Sequence, residues 1–441
     1  MFDKRFSIAI FGFILSIVAV SSLFAHDIVP GKKQTKAIAL TGGTIYTVSD
    51  PVIPNGTIVF DKGKIVAVGG SEVRIPAGAE VIDVSGKNVY PGLIITNSTL
   101  GLVEIEQARA TVDVSEVGDI NPDARADVAY NPDSDVPPTI RSNGVTTAQI
   151  VPQGGLLSGT SAIINLDGWT VEDAGLVRQA GIHLNWPWMK VIKAWWMPTP
   201  EEEQQKNIGK NLKAIEKAFE DSKQYWLAKK GNQTGDFKID ARWEAMVPLW
   251  EGKVPLYVDA GEYKQIEAAV ALAKKYNLRM ILVGGDDAWM LTDLLKANNI
   301  PVILKRVHSM ADREEDDFDT YLKLPKVLLV AGVKFCLSNT GFFGHWDARN
   351  LPFLAGTSVA YGMDKANALR SITLWPAEII GISDRMGSLE VGKDATIVVS
   401  SGDIMDALTN DIVYEFIQGK KVDLDDKHKR LYRKYMEKYK N

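Results

Sequence analysis

The sequence is poor in the residues that bind metals or cross-link a fold. Its 441 residues include one cysteine, Cys336, and five histidines. A lone cysteine excludes an internal disulfide, and no cysteine stands near the N-terminus to take a lipid. Cys336 sits inside an apolar run, which favours a buried, inert thiol. No basic stripe is present and the net charge is -5, so nothing electrostatic points to nucleic acid. A Gly-x-Ser-x-Gly elbow is missing, which removes the serine-hydrolase reading. The glycine-bearing stretch Pro152–Thr160 lacks a following Gly-Lys-Ser/Thr and reads as a turn rather than a phosphate cradle. Long hydrophobic runs are also scarce. Ile8–Val20 is too short for a comfortable membrane span. Lys4 and Arg5 precede it and Ser21–Ala25 follow, the layout of a secretory signal peptide over residues 1–25. The expectation is an exported protein, periplasmic or secreted, with no stable span after cleavage. An uncleaved anchor is the alternative.

What remains is an ordinary globular chain. Hydrophobic residues make up 46% and charged residues 24%, enough core for one large domain and a smaller one. The organising stretch runs from Val254 to Asn339, where apolar runs alternate with amphipathic ones at roughly 25-residue spacing. The strands read Val254–Asp259, Arg279–Gly284, Ile300–Lys305 and Val333–Asn339. Glu262–Tyr276, Ala288–Ala297 and Tyr321–Ala331 read as helices between them. Near-continuous apolar strands imply a parallel sheet covered on both faces, and repeated β-α units of this length fit a (β/α)8 TIM-type barrel. Chemistry in such a barrel gathers at the carboxyl ends of the strands, here Asp259, Gly284, His308 and Asn339.

Short strands punctuated by turns lie on either side of this barrel, over 36–91 and again over 383–422. Two such pieces can form one small β-sandwich domain from both chain ends. The barrel then spans 92–382, with Gly92–Ile95 and Gly144–Val151 as its first strands. Val112–Pro138, rich in Asp, Asn and Pro, reads as an ordered loop. Thr199–Lys230 is the clearest helix, with a capping residue, Pro200 at its first position and a stripe of Ile208, Leu212, Ile215 and Phe219. It marks a helical insert near 198–231. Trp186, Trp188, Trp195, Trp196 and Trp226 crowd around it. They form either an aromatic wall over the barrel mouth or, the blander and preferred reading, anchors that dock the insert. Residues 423–441 read as a charged, solvated tail.

Several motifs resemble the amidohydrolase superfamily: Thr41-Gly-Gly-Thr-Ile-Tyr46, Val89-Tyr-Pro-Gly-Leu-Ile94, Ser142-Asn-Gly-Val-Thr-Thr147 and Gly387-Ser-Leu-Glu-Val-Gly-Lys-Asp-Ala395. Arg349–Phe353, Ala368–Thr373 and Pro376–Gly381 extend the likeness, which is nearest to imidazolonepropionase-like members. The resemblance implies the barrel with a two-ended β domain. It also implies hydrolysis of non-peptide C–N bonds, with zinc or another divalent metal in relatives.

At the positions where the resemblance implies metal ligands, this sequence departs. The His-x-His after Pro-Gly-Leu-Ile is replaced by Asn97 and Thr99. Asp259 and Gly284 stand where histidines are implied, and Asn339 stands where an aspartate is implied. His183 lies near the position of a bridging lysine. Asn and Thr are weak zinc ligands, Gly offers no side chain, and Asn339 cannot act as a general base. No cofactor and no metal site are therefore expected. Acid-rich stretches near the mouth, Glu262, Asp286, Asp287 and Asp316–Asp319, would suit Ca²⁺ or Mg²⁺ but read first as solvated loops. Two functions follow. The favoured one is a non-catalytic protein that binds a small-molecule ligand at Asn97, Thr99, His183 and Asn339, or partners a homologous amidohydrolase subunit. The other is a hydrolase with a site rebuilt around Asp259, His308 and His345.

Overall fold

A computed structural model describes residues 28–231, 237–340 and 344–440. The signal-peptide expectation over residues 1–25 lies outside them. Among the described residues, no helix is long and apolar enough to cross a membrane.

The first strands are β1 (Ile38–Ile45), β2 (Ile53–Asp61), β3 (Lys64–Gly69), β4 (Glu80–Asp83) and β5 (Asn88–Pro91). Lys62 and Gly63 both take positive φ (50° and 78°), the paired left-handed geometry that a two-residue hairpin between twisted strands requires. β1 pairs antiparallel with β2 on one edge and, on the other, with β4 along its first half and β5 near its end.

The barrel follows: β6 (Leu93–Ser98), β7 (Val145–Ile150), β8 (Leu157–Asn165), β9 (Gly175–Asn185), β10 (Leu256–Ala260), β11 (Met280–Gly284), β12 (Val302–Leu304) and β13 (Phe335–Leu337). These eight strands form one sheet in sequence order. Residues 371 and 372 bridge its two edges. Leu337 N–H donates to the Ser371 carbonyl and Ile94 N–H to the Ile372 carbonyl, each at 3.0 Å. The TIM-type barrel is therefore present, with one departure from an all-parallel wall: β8 runs antiparallel to both β7 and β9. Part of the expected Pro152–Thr160 turn, from Leu157 onward, is the start of that strand.

β14 (Ile397–Ser400), β15 (Ile412–Ile417) and β16 (Lys420–Lys421) close the chain's second sheet. β14 lies antiparallel to β5, with Ile397 opposite Pro91 and Ser400 opposite Asn88. Strands from both chain ends thus share one sheet domain. Its core is Leu40, Ile58, Phe60, Val89, Ile397 and Phe416.

Alternation along the strands sorts the barrel's side chains. Residues pointing inward at the floor are mainly apolar: Ile94, Ile163, Tyr257, Ile281, Ile303 and Cys336, sealed from below by Ile379, Ile380 and Ile382. The Cys336 thiol is fully buried beside the Thr96 hydroxyl at 3.6 Å, and burial pushes its pKa up to about 12. It is inert, as its place in the strand implies. Outward-pointing residues such as Val258, Leu282 and Val302 pack against the surrounding helices.

The helical insert is a single helix, Glu201–Gly231, packed on Ala241–Trp250. Phe219, Trp250 and Tyr276 form its aromatic seam, and Trp226 stacks on Trp250 at 6.5 Å. Trp226 therefore does dock the insert. Trp186 is buried, whereas Trp188, Trp195 and Trp196 are exposed on the preceding loop, Trp195 at 96%. The tail carries the helix Lys427–Lys438, none of whose residues is buried.

Candidate functional site

Strand geometry decides which side chains reach the mouth. Because inward and outward positions alternate, the residue two beyond an inward floor residue also points inward, one layer higher. Tyr257 thereby raises Asp259, Ile303 raises Lys305, and Ile281 raises Val283. At the end of β6 a bulge interrupts the ladder and Asn97 takes a left-handed φ of 50°. Asn tolerates that conformation better than most residues. Its N–H donates to Gln149 Oε1 at 3.2 Å.

These positions enclose a cavity of about 290 Å³ lined by Asn97, His183, Asn185, Asp259, Val283 and Lys305, with the Val151–Gly154 loop on one side. Its centre is an ion pair. Lys305 Nζ donates to Asp259 Oδ1 at 2.6 Å and lies 2.5 Å from Oδ2. His183 stacks flat on Tyr257, its register partner across β9 and β10, with centroids 4.5 Å apart and planes at 4°. His183 Nε2 is buried without a hydrogen-bond partner, and burial drives the imidazole down to about 3, so it is neutral. Asp286, just past β11, is raised to about 6. Burial is the largest cause, the Lys305 ammonium opposes it, and Asp312, Asp259 and Asp287 add to it. Its neighbour Asp287 is buried and satisfied, accepting the Tyr263 N–H at 2.8 Å and pairing with the Arg313 guanidinium.

The residues expected at the site are not all brought together. Asp259, Asn97 and His183 line the cavity. Thr99 is buried nearby in a turn, its carbonyl accepting the Leu102 N–H, and does not line it. Asn339 is buried and its amide donates to the Asp347 carbonyl at 2.6 Å, which fixes it structurally. His308 faces away, toward the Thr357 hydroxyl at 2.8 Å, in a separate cavity with Met405 and Lys365. Burial and the nearby Arg306 hold it below its ordinary value. His345 Nδ1 lies 3.4 Å from the Glu106 carboxylate. Burial lowers its pKa and Asp347 opposes that. An acid–base set of Asp259, His308 and His345 is thus not assembled: each has a different partner, with His308 on a loop and His345 in the short helix Gly344–Asp347. The residue missed by sequence reasoning is Lys305, at the end of a correctly placed strand. Period-two alternation from Ile303 was the signal that could have found it.

A divalent metal is what the fold's relatives lead one to test. Here the donor set does not fit one. The carboxylate at a matched position, Asp259, already has an ammonium against both oxygens, and Gly284 and Asn339 contribute nothing to the cavity wall. Among the described residues, no three His, Cys, Asp or Glu side chains converge to hold an ion.

Comparison with known proteins matches this architecture. A model of the "Amidohydrolase family" fits residues 343–423, the stretch that leads from the barrel's last helices into the second sheet. That stretch is similar to the amidohydrolase family. A crystal structure of an amidohydrolase from Thermotoga maritima shares the fold at a TM-score of 0.77 and 23% identity, over 88% of this chain and 99% of that one. Among curated superfamily relatives, amidohydrolase tasK of Hapsidospora irregularis is 22% identical over 426 residues, 88% of this chain and 41% of the relative. The exoenzymes regulatory protein AepA of Pectobacterium carotovorum is 29% identical over 149 residues, 32% of this chain and 30% of that protein. The chain spans about two-fifths or less of the length of these curated relatives. The structural likeness carries the fold. It does not carry a reaction, because activity resides in the site and not in the barrel.

Proposed function

We propose that this protein is an exported, non-catalytic amidohydrolase-like protein that binds a small polar ligand in its barrel mouth. The observation carrying that reading is the Lys305–Asp259 pair. A hydrolytic zinc needs several nitrogen, sulfur or carboxylate ligands and one open position for water. Here the acid that could contribute is held by a tethered cation, and the imidazole in the same cavity is clamped by stacking on Tyr257. What the mouth retains is a binding cavity with polar walls. The export half of the proposal rests on the Lys4–Ala25 pattern alone, and kinship to imidazolonepropionase-like members on the motifs quoted above.

Metal analysis of the purified protein, paired with an activity panel of amides, lactams and cyclic imides, tests this reading. The expected result is no stoichiometric transition metal and no turnover. Stoichiometric zinc, with hydrolysis that disappears in Asp259→Ala, would overturn it.

A further inference from the structure

The ligand-binding reading leaves the ligand's chemistry open, and the charges in the mouth narrow it. Lys305 and Asp259 are 34% and 35% exposed, and both line the cavity. The pair is not saturated: an ammonium has three donors and a carboxylate about four acceptor positions. An anion approaching Lys305 would also meet the Asp259 carboxylate, with Asp286 close behind. A cation approaching Asp259 would meet the ammonium. Either way attraction to one partner is offset by repulsion from the other. A ligand carrying both charges on neighbouring atoms escapes this. Its carboxylate sets against Lys305 and its ammonium against Asp259, so four charges alternate in sign and no net charge is buried.

Two further observations point the same way. The cavity, at about 290 Å³, lies at the low end of the roughly 300–1,000 Å³ that drug-sized ligands occupy, so the ligand is small. His183 Nε2 is an independent sign of a ligand. It belongs to a side chain that is only 6% exposed and lines the same cavity, and among the described residues it has no partner. A buried polar atom left unmatched is unfavourable, and a ligand group placed there would satisfy it.

We infer that the mouth binds a free α-amino acid or a similarly compact zwitterion, held between Lys305 and Asp259, with His183 making a third contact. This deepens the non-catalytic reading and rests on it. The test is isothermal titration of the purified protein with a panel of α-amino acids, each beside its N-acetyl and O-methyl ester forms, which lack one charge. At least one free amino acid should bind saturably, with both blocked forms about ten-fold weaker or worse. Lys305→Met and Asp259→Asn should each lose about as much. Because the blocked ligands are tried on the wild-type protein, the result does not depend on either variant folding. A blocked form that binds as tightly as its parent, or no free amino acid binding at millimolar concentration, would overturn the inference. Zinc-dependent amide hydrolysis would instead sink the non-catalytic reading, so the two failures are told apart.

Discussion

The floor and the mouth of this barrel are built by the same strands, two residues apart, yet they follow different physics. The floor, with Ile94, Ile163, Ile281 and Ile303 above a plug of Ile379–Ile382, excludes water completely. Its contribution is hydrophobic and depends on close packing. The mouth, with Asn97, His183, Asp259 and Lys305, holds an open charge pair and an unmatched imidazole nitrogen. The contrast teaches that the barrel's stability does not draw on the residues that chemistry would need. The mouth can hold Asn97, Gly284 and an ion pair while the apolar layer beneath keeps the strands in register.

Truncation of the floor should produce the largest effect. Ile303→Ala is expected to destabilise the fold by about 2–5 kcal/mol, read from urea denaturation. A loss under about 1 kcal/mol would show that the floor is not the closely packed layer described.

A buried carboxyl without partners is the next largest, and Glu415 supplies it in the second sheet. Its side chain is fully buried, both oxygens lack partners, and burial raises its pKa well above the usual carboxylate range. Arg141 works against that rise and Asp167 with it. The folded state therefore keeps a proton that the unfolded chain releases near pH 4.3, to order of magnitude. Stability from this group is complete below that pH. It falls by up to about 1.4 kcal/mol per pH unit as pH rises toward the folded pKa. Glu415→Gln should remove that slope and be more stable than wild type at neutral pH, with the gap narrowing in acid. Denaturation midpoints at several pH values read it.

In the mouth, Lys305→Met should lower stability by only about 1 kcal/mol, because a pair this exposed is screened by solvent. A loss as large as that of Ile303→Ala would erase the contrast between the layers. The effect confined to the narrowest pH window belongs to Asp286→Asn. The folded carboxyl titrates at about 6, against roughly 3.9 unfolded. Its contribution is fully present below the lower value and lost as pH rises through the upper one. The Asn variant should flatten the stability profile between those two points and leave it unchanged elsewhere.

Much of this was legible in the sequence. Expected strands at Val254–Asp259 and Arg279–Gly284 appear as Leu256–Ala260 and Met280–Gly284, and the long helix begins at Glu201 against an expected Thr199. These segments carry strong apolar patterning, and burial on both faces reads directly from composition. β8 was not legible, because Ser158, Gly159 and Thr160 look like turn residues; only pairing to β9 makes them a strand. At the site, the position of Asp259 followed from its strand end and that of Asn97 from the motif resemblance. The separation of His308 and His345 did not, since one sits on a loop and the other in a single-turn helix, neither placed by any periodicity. Lys305 was overlooked because a lysine at a strand end reads as solvated until the inward face is counted.

The Lys305–Asp259 pairing in the mouth can be tested directly against zinc. Crystals soaked in zinc and measured at the zinc absorption edge should show Lys305 Nζ still paired with Asp259 and no anomalous peak in the mouth. A zinc peak bonded to the Asp259 carboxylate, with the lysine swung aside, would contradict it.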